Sequence, residues 1–305
     1  MLLGRKERCL LKDWTEEQLH LLGEVLPYVA QQFRMPLNNL ALSVQQLAVS
    51  RPDGTERDKC AQEVLHKSYL RLLRLVGNLD LAPLLLSDEP FPRQNTDVVA
   101  WLDALCLQAE GLFAEKGVTL RWEVAMPYHI TALHKEYMDR LLWNLLNNAL
   151  KFTPNGGRVT VTLKAVNGQL LLTVNDTGCG IPTEQMETVF DRWLAHERQD
   201  PAPHGLGLGL PICRRIAEGH GGLLLLSSRE GEGTTATVSL ADITLKDDTV
   251  RDTSVDYAGG FSRALLELSD ALPYTAFTPE NVDLEAVEKT VFTRIVCRVR
   301  SFYTV

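Results

Sequence analysis

Asn144-Leu145-Leu146-Asn147-Asn148-Ala149-Leu150-Lys151-Phe152 closes a longer run, Glu136 to Lys151, with helical spacing. Asn144 and Asn148 are four residues apart and Lys151 is three further on, so all three share one helix face. Polar amides and one cation at helical spacing make a ligand-facing stripe or a solvated one. The downstream chain decides between the two. Three glycine-bearing segments come in order: Asp176-Thr177-Gly178-Cys179-Gly180-Ile181, then Gly205-Leu206-Gly207-Leu208-Gly209-Leu210, then Gly231-Glu232-Gly233-Thr234-Thr235. Glycine lets the backbone approach a ligand closely, and a glycine run leading into a helix start (here Leu210 to Glu218) offers free amides to a phosphate.

Around these segments the pattern is of strands. Val118 to Val124 and Arg158 to Val166 alternate, Asn167-Gly168 is a hairpin turn, and Leu170 to Val174 returns. Leu223 to Ser227 and Thr235 to Leu240 add two more. Thr96 reads as the N-cap of a helix through Val98, Leu102, Leu105 and Ala109. Helices on one face of a mostly antiparallel sheet give an α/β sandwich.

Upstream, Leu22, Leu26, Val29, Phe33, Leu37, Leu40, Val44 and Leu47 step by three and four. Arg51-Pro52-Asp53-Gly54-Thr55 breaks the run as a turn, and a second seam runs through Ala61, Leu65, Leu72, Leu75, Leu79 and Leu86, with polar Ser68 in register. Two such helices, residues 14–50 and 55–86, make a hairpin. A hairpin can bury both faces by pairing with a second copy into a four-helix bundle, so a homodimer is expected; the alternative is a hairpin packed on its own chain. Pro36 should kink the first helix. Ser87-Asp88-Glu89-Pro90-Phe91-Pro92-Arg93 is polar and proline-bearing, and residues 87–96 read as a linker.

The ordered motifs resemble the ATP-binding core of bacterial sensor histidine kinases, a domain type shared with type II topoisomerases and heat-shock chaperones. The implied class is α+β: a two-helix hairpin over 1–86, the linker 87–96, an ATP-binding α/β sandwich over 97–242, and an extension, 243–305, of no assigned role. The resemblance covers residues 25 to 242. It implies that ATP and Mg²⁺ are bound by Asn144, Asn148, Lys151, Phe152, Asp176, Gly178, Gly180, Ile181, Gly205, Leu206, Gly207, Leu208, Gly209, Leu210 and Thr235. Asn148 would hold the Mg²⁺, Asn144 would support it, and Lys151 would reach a phosphate. Phe152 would pack on the adenine side, and Asp176 would accept from the adenine amino group. Phe190-Asp191-Arg192-Trp193 would anchor the lid by packing, and Asp191 to His204 would form the lid, with Arg198 near the terminal phosphate.

The hairpin departs from the family. Its histidine motif, His-Glu-(Leu/Phe)-Arg-x-Pro-Leu, is matched here by Gln31-Gln32-Phe33-Arg34-Met35-Pro36-Leu37. Phe33, Arg34, Pro36 and Leu37 agree. Gln31 replaces the phosphoacceptor, and an amide has no nucleophilic nitrogen comparable to imidazole. Gln32 replaces the acid that would orient it. Met35 replaces a residue that in related kinases positions water. His20 lacks the flanking acid and proline and reads as an ordinary solvated histidine. Asn144 stands where ATP hydrolases and serine kinases of the same superfamily place a glutamate base, which argues against those activities.

Net charge −8 over 305 residues argues against nucleic acid as a partner. Six scattered cysteines without a C-x-x-C pair suit a reducing compartment. No apolar run is long enough to span a bilayer, so a cytoplasmic protein, or the cytoplasmic part of a longer parent, is expected. The sequence leads to a histidine-kinase-type protein that binds Mg-ATP without its own acceptor, working in trans or as a pseudokinase. The alternative is a non-enzymatic, ATP-regulated scaffold. A partner kinase or a response regulator is the implied protein partner.

Overall fold

The structure is a computed structural model that describes residues 33, 36–40, 42–44, 56–81, 84–85, 90–186, 189, 207–246, 262–278 and 281. Gln31, Gln32, Met35, His20, the turn at 51–55, Leu86, Phe190, the lid at 191–204, Gly205 and Leu206 lie outside the described residues.

Five strands form the main sheet: β2 (Thr119–Val124), β4 (Arg158–Val166), β5 (Gln169–Asp176), β6 (Leu224–Arg229) and β7 (Gly233–Ala241). Their order is β2-β4-β5-β7-β6. The β2–β4 pair is parallel and every other pair is antiparallel. Alternation along the strands puts Val159, Val161 and Leu163, Leu170, Leu172 and Val174, and Ala236, Val238 and Leu240 inward. Against them pack α2 (Val98–Glu115), α3 (Lys135–Phe152) and α5 (Gly209–Gly219). Each fully buried Leu, Ile or Val in this layer contributes about 1.5–3 kcal/mol. The short α4 (Thr183–Met186) comes after the Asp176 loop. This is the expected α/β sandwich.

Two local readings change. Thr96 is not the cap of α2. It lies in β1 (Gln94–Asp97), which pairs antiparallel with β3 (Ile130–Leu133) in a separate two-stranded sheet. The pairing draws Thr96 into extended backbone, and Asp97 caps instead, its Oδ1 accepting from the amides of Val99 (3.1 Å) and Ala100 (3.4 Å). Both strands have four residues, too few for alternation to stand out. The described part of the stretch read as linker, from residue 90 on, is also docked on the domain. The Phe91 ring lies edge-on to Tyr137 at 4.9 Å and beside His220 at 5.5 Å. Arg93 Nη2 donates to Gly219 O at 2.7 Å.

The second hairpin helix, α1 (Glu56–Asp80), buries Ala61, Ser68 and Leu75 at heptad spacing. Leu65, Leu72 and Leu79 are only half-buried, while Leu70, Arg74 and Asn78 are buried on another side. That side meets the chain beyond β7. Beyond β7 the chain forms a one-turn helix, α6 (Arg263–Glu267), then a turn and a 3₁₀ turn (Tyr274–Ala276). Ser262 caps α6, with its Oγ accepting from Leu265 N at 3.5 Å. Leu265, Leu268, Leu272 and Phe277 join the same core as the ATP-domain helices. Lys67 Nζ donates to Leu272 O at 2.5 Å, and His66 Nδ1 lies 3.3 Å from Phe277 O. This tail therefore sits between α1 and the domain.

Candidate nucleotide site

α3 carries the first motif. His134 caps it, Nδ1 accepting from Tyr137 N at 3.3 Å. Its end is set by Thr153, whose Oγ1 donates to Ala149 O at 2.6 Å, with Pro154 next in the chain. Lys116 Nζ donates to the last-turn carbonyls of Leu150 and Lys151, a favourable place for a cation. Asn144 is buried, Asn148 and Lys151 half-buried, and the Phe152 side chain is exposed with Lys151 Nζ 5.4 Å from its ring centre.

The Asp176 end is built from backbone. Asp176 is buried, and its Oδ1 accepts from Gly178 N (2.8 Å) and Thr234 N (3.2 Å). Burial raises its pKa, and the two amides oppose the rise. No bond from the described residues reaches Oδ2, which leaves an acceptor for a donor on a ligand. Gly180 has φ +68°, and a Cβ there would stand 2.0 Å from Arg229 O. Gly233 has φ +105°, and its Cβ would stand 2.0 Å from Asp176 O. No side chain fits at either place. Ile181 N donates to Ser228 Oγ at 2.8 Å, and that hydroxyl donates to Gly233 O at 2.9 Å.

Thr235 falls elsewhere than expected. The register pairs Asp176 with Thr234 and Asn175 with Thr235. Successive strand residues face opposite sides, so Thr235 shares the Asn175 face, where its Oγ1 accepts from Asn175 Nδ2 at 2.6 Å. Thr234 is the residue beside Asp176. It belongs to this end of the site together with Ser228, which does not stand out in the sequence. The pairing register that selects them has no local signal.

The Asn144 end is built from side chains. Leu208 is buried and half-buried Leu210 lies in the first turn of α5, which has no side-chain cap; Gly207 precedes it at φ +72°. A Cβ on Gly209 would lie 3.4 Å from Asn144 Oδ1, so the start of α5 adjoins the asparagine. Asn144 Oδ1 accepts from Arg74 Nη2 at 3.3 Å. Arg74 also pairs with Asp270, and Arg71 Nε lies 2.9 Å from Asp270 Oδ1. Glu267 Oε1 accepts from Arg140 Nη1 at 2.8 Å. Burial pulls Lys151 down to about 8, helped by Arg74, Arg71 and Lys116 and opposed by Asp270. Lys67 is likewise pulled down to about 8, by burial and then by Arg71. The sequence alone points to none of Lys67, Arg71, Arg74, Glu267 or Asp270 at the site.

Residues 134–244 match the family described as histidine kinase-, DNA gyrase B-, and HSP90-like ATPase. The adaptive-response sensory kinase SasA of Parasynechococcus marenigrum is 31% identical over 235 residues, 76% of this chain and 59% of that protein. The histidine protein kinase DivJ of Caulobacter vibrioides is 32% identical over 70% of this chain and 36% of its own length. The chain belongs to the bacterial sensor histidine kinase family. It spans about 59% of the length of the first of these sensor kinases. Solved histidine kinases share the fold. Full-length ShkA with AMPPNP matches at TM-score 0.54 and 23% identity, covering 73% of this chain and 46% of that one. ThkA with the response regulator protein TrrA matches at 0.54 and 19%, covering 76% and 68%. The kinase-type ATPase match contains Asn144 to Phe152, Asp176 to Ile181 and Gly207 to Thr235, which carry the described parts of the site. Among the described residues, no helix is long and apolar enough to cross a membrane.

Proposed function

We propose that this chain is a two-component signalling protein that binds Mg-ATP and has lost its own phosphoacceptor. It would act on a partner's histidine in trans or bias a partner as a pseudokinase. The observation that carries this is a contrast within one chain. The buried Asp176 with its amide frame and the Asn144–Lys151 helix face are present, while glutamine stands at positions 31 and 32.

Asp176 would take the adenine amino group, and the amides opening α5 would take phosphate oxygens. Asn148 would hold Mg²⁺. Among the described residues, no group of three or more His, Cys, Asp or Glu could hold a metal. One amide ligand would suffice for an ion that keeps much of its water and is otherwise held by the phosphates. When bound, the ion neutralises charge on the phosphates. Transfer would then join the partner's imidazole nitrogen to the γ-phosphorus as the bond to the ADP oxygen breaks; positioning and charge neutralisation supply the rate.

The scaffold reading has one observation in its favour. The tail fastens α1 to the ATP domain through buried ion pairs, an arrangement suited to holding a shape. Homodimerisation through helices 14–50 and 55–86, with a response regulator or partner kinase docking there, belongs to both readings.

The test is intact mass before and after Mg-ATP, for the native chain and for Gln31→His with Gln32→Glu. We expect nucleotide binding by both, no mass gain by the native chain, and one added phosphoryl group on the double variant. A folded, ATP-binding double variant that stays unlabelled sinks the claim that only the acceptor is missing.

A further inference from the structure

Lys67, Arg71 and Arg74 stand at steps of four and three on α1, hence on one face of that helix. All three reach the same tail turn: Lys67 bonds Leu272 O, and Arg71 and Arg74 hold Asp270. Arg74 also donates to Asn144, on the helix face assigned to the nucleotide's phosphates. The turn itself is well secured. Glu267 is shared between Arg140 and Arg74, and Arg263 Nη1 donates to Asp139 Oδ2 at 2.6 Å. Asp139 accepts in addition from Trp101 Nε1 at 2.6 Å.

Among the described residues, the cations around Asp270 outnumber the anions. Lys67, Arg71, Arg74 and Lys151 all act on this one carboxylate, holding its pKa below the ordinary value against the cost of burial. Glu267 is the second anion, 2.8 Å from Arg140 Nη1 and 3.9 Å from Arg74 Nε. A buried cluster with more cations than anions binds a polyanion in preference to a single carboxylate. The guanidinium pair suits phosphate oxygens, because each can donate two parallel N–H bonds.

We propose that Lys67, Arg71 and Arg74 of α1, together with Lys151, form a binding site for the terminal phosphates of the nucleotide, which Asp270 occupies in this structure. The tail turn 267–272 is then a built-in competitor. Mg-ATP displaces it, and its return lowers affinity for nucleotides with a full phosphate chain. An adenosine monophosphate, too short to reach α1, does not compete. Binding and tail release are one coupled equilibrium, so tail docking and nucleotide binding weaken each other by the same factor. The proposal rests on the nucleotide reading of the site and adds residues and regulation to it.

The experiment uses the full chain. Affinities for Mg-ATP and AMP are measured by calorimetry for the native protein and for Asp270→Asn, which keeps the volume and removes the charge. We expect ATP to bind the variant about tenfold tighter, with AMP unchanged. In the native protein, saturating Mg-ATP should raise amide hydrogen exchange over 264–272, and AMP should not. An unchanged ATP-to-AMP affinity ratio in Asp270→Asn overturns the competition. So does a tail that stays protected under saturating ATP, a measurement that needs no variant and decides alone if Asp270→Asn fails to fold. If neither protein binds any nucleotide, the nucleotide reading of the site fails and the competitor with it.

Discussion

Around Asp176 the bonds that shape the site come from backbone close in space and held in register by the sheet: Gly178 and Thr234 donate to the carboxylate, and Ile181 is tied to Ser228. Around Asn144 they come from side chains far apart in sequence. Arg74 lies 70 residues before Asn144 and 196 residues before Asp270. The first construction is rigid because a strand pairing cannot shift by one residue without turning every side chain over. The second is adjustable, because ion pairs between long side chains can exchange one anion for another. A site that must recognise one invariant base and respond to a variable phosphate chain benefits from having one of each.

The backbone-built end should fail by unfolding. Gly233→Ala puts a methyl 2.0 Å from Asp176 O and 2.9 Å from Asp176 C, both backbone atoms, at φ +105°. A change that combines such a clash with backbone strain costs about 4 kcal/mol or more, read from urea unfolding. A loss under about 1 kcal/mol would mean that β7 can slide, and the rigidity assigned to this end would be wrong.

Asp176→Asn keeps an oxygen for the Gly178 and Thr234 amides and replaces the free Oδ2 acceptor by a donor. ATP affinity should fall at least ~100-fold, about 2.7 kcal/mol, by calorimetry, with unfolding changed by far less. The tail contacts at Asn144 should keep their hydrogen-exchange protection in this variant. If protection is lost there too, the two ends are one cooperative unit and the contrast dissolves.

How legible each end is from sequence obeys the same division. Gly178, Gly180, Gly233 and Asp176 stand in short motifs whose spacing encodes the turn they make, and the helix through Asn144 announces itself by periodicity. The five-stranded sheet is readable because its strands have six to nine residues. The Thr96 cap fails because β1 exists only by pairing with β3, and nothing inside four residues shows a partner that far along the chain. Thr235 takes the place of Thr234 in a reading by motif because the motif names both and only the register chooses. Arg71 and Arg74 look like the solvated side of a heptad helix. Their role depends on Asp270 arriving from the far end of the chain, and a pattern within one helix carries no trace of that.

The smallest effect should also be the most selective. Lys151 titrates near 8 in the folded chain, with burial, Arg74, Arg71 and Lys116 pushing it down and Asp270 holding it up. Below about pH 8 it is charged and can pair with a phosphate; above, it is neutral and cannot. Nucleotide affinity should therefore fall as pH rises from about 7 to about 9.5, by about fivefold. Lys151→Met should give a flatter profile, with Lys67, also near 8, supplying whatever slope remains. Stability must move the other way. The unfolded chain keeps the lysine proton up to the ordinary 10.5, so between about 8 and 10.5 it binds more protons than the folded chain, and the fold gains stability as pH rises. Opposite slopes for binding and unfolding place the titrating group at the side-chain-built end. Parallel slopes would mean that alkaline loss of binding is only loss of fold.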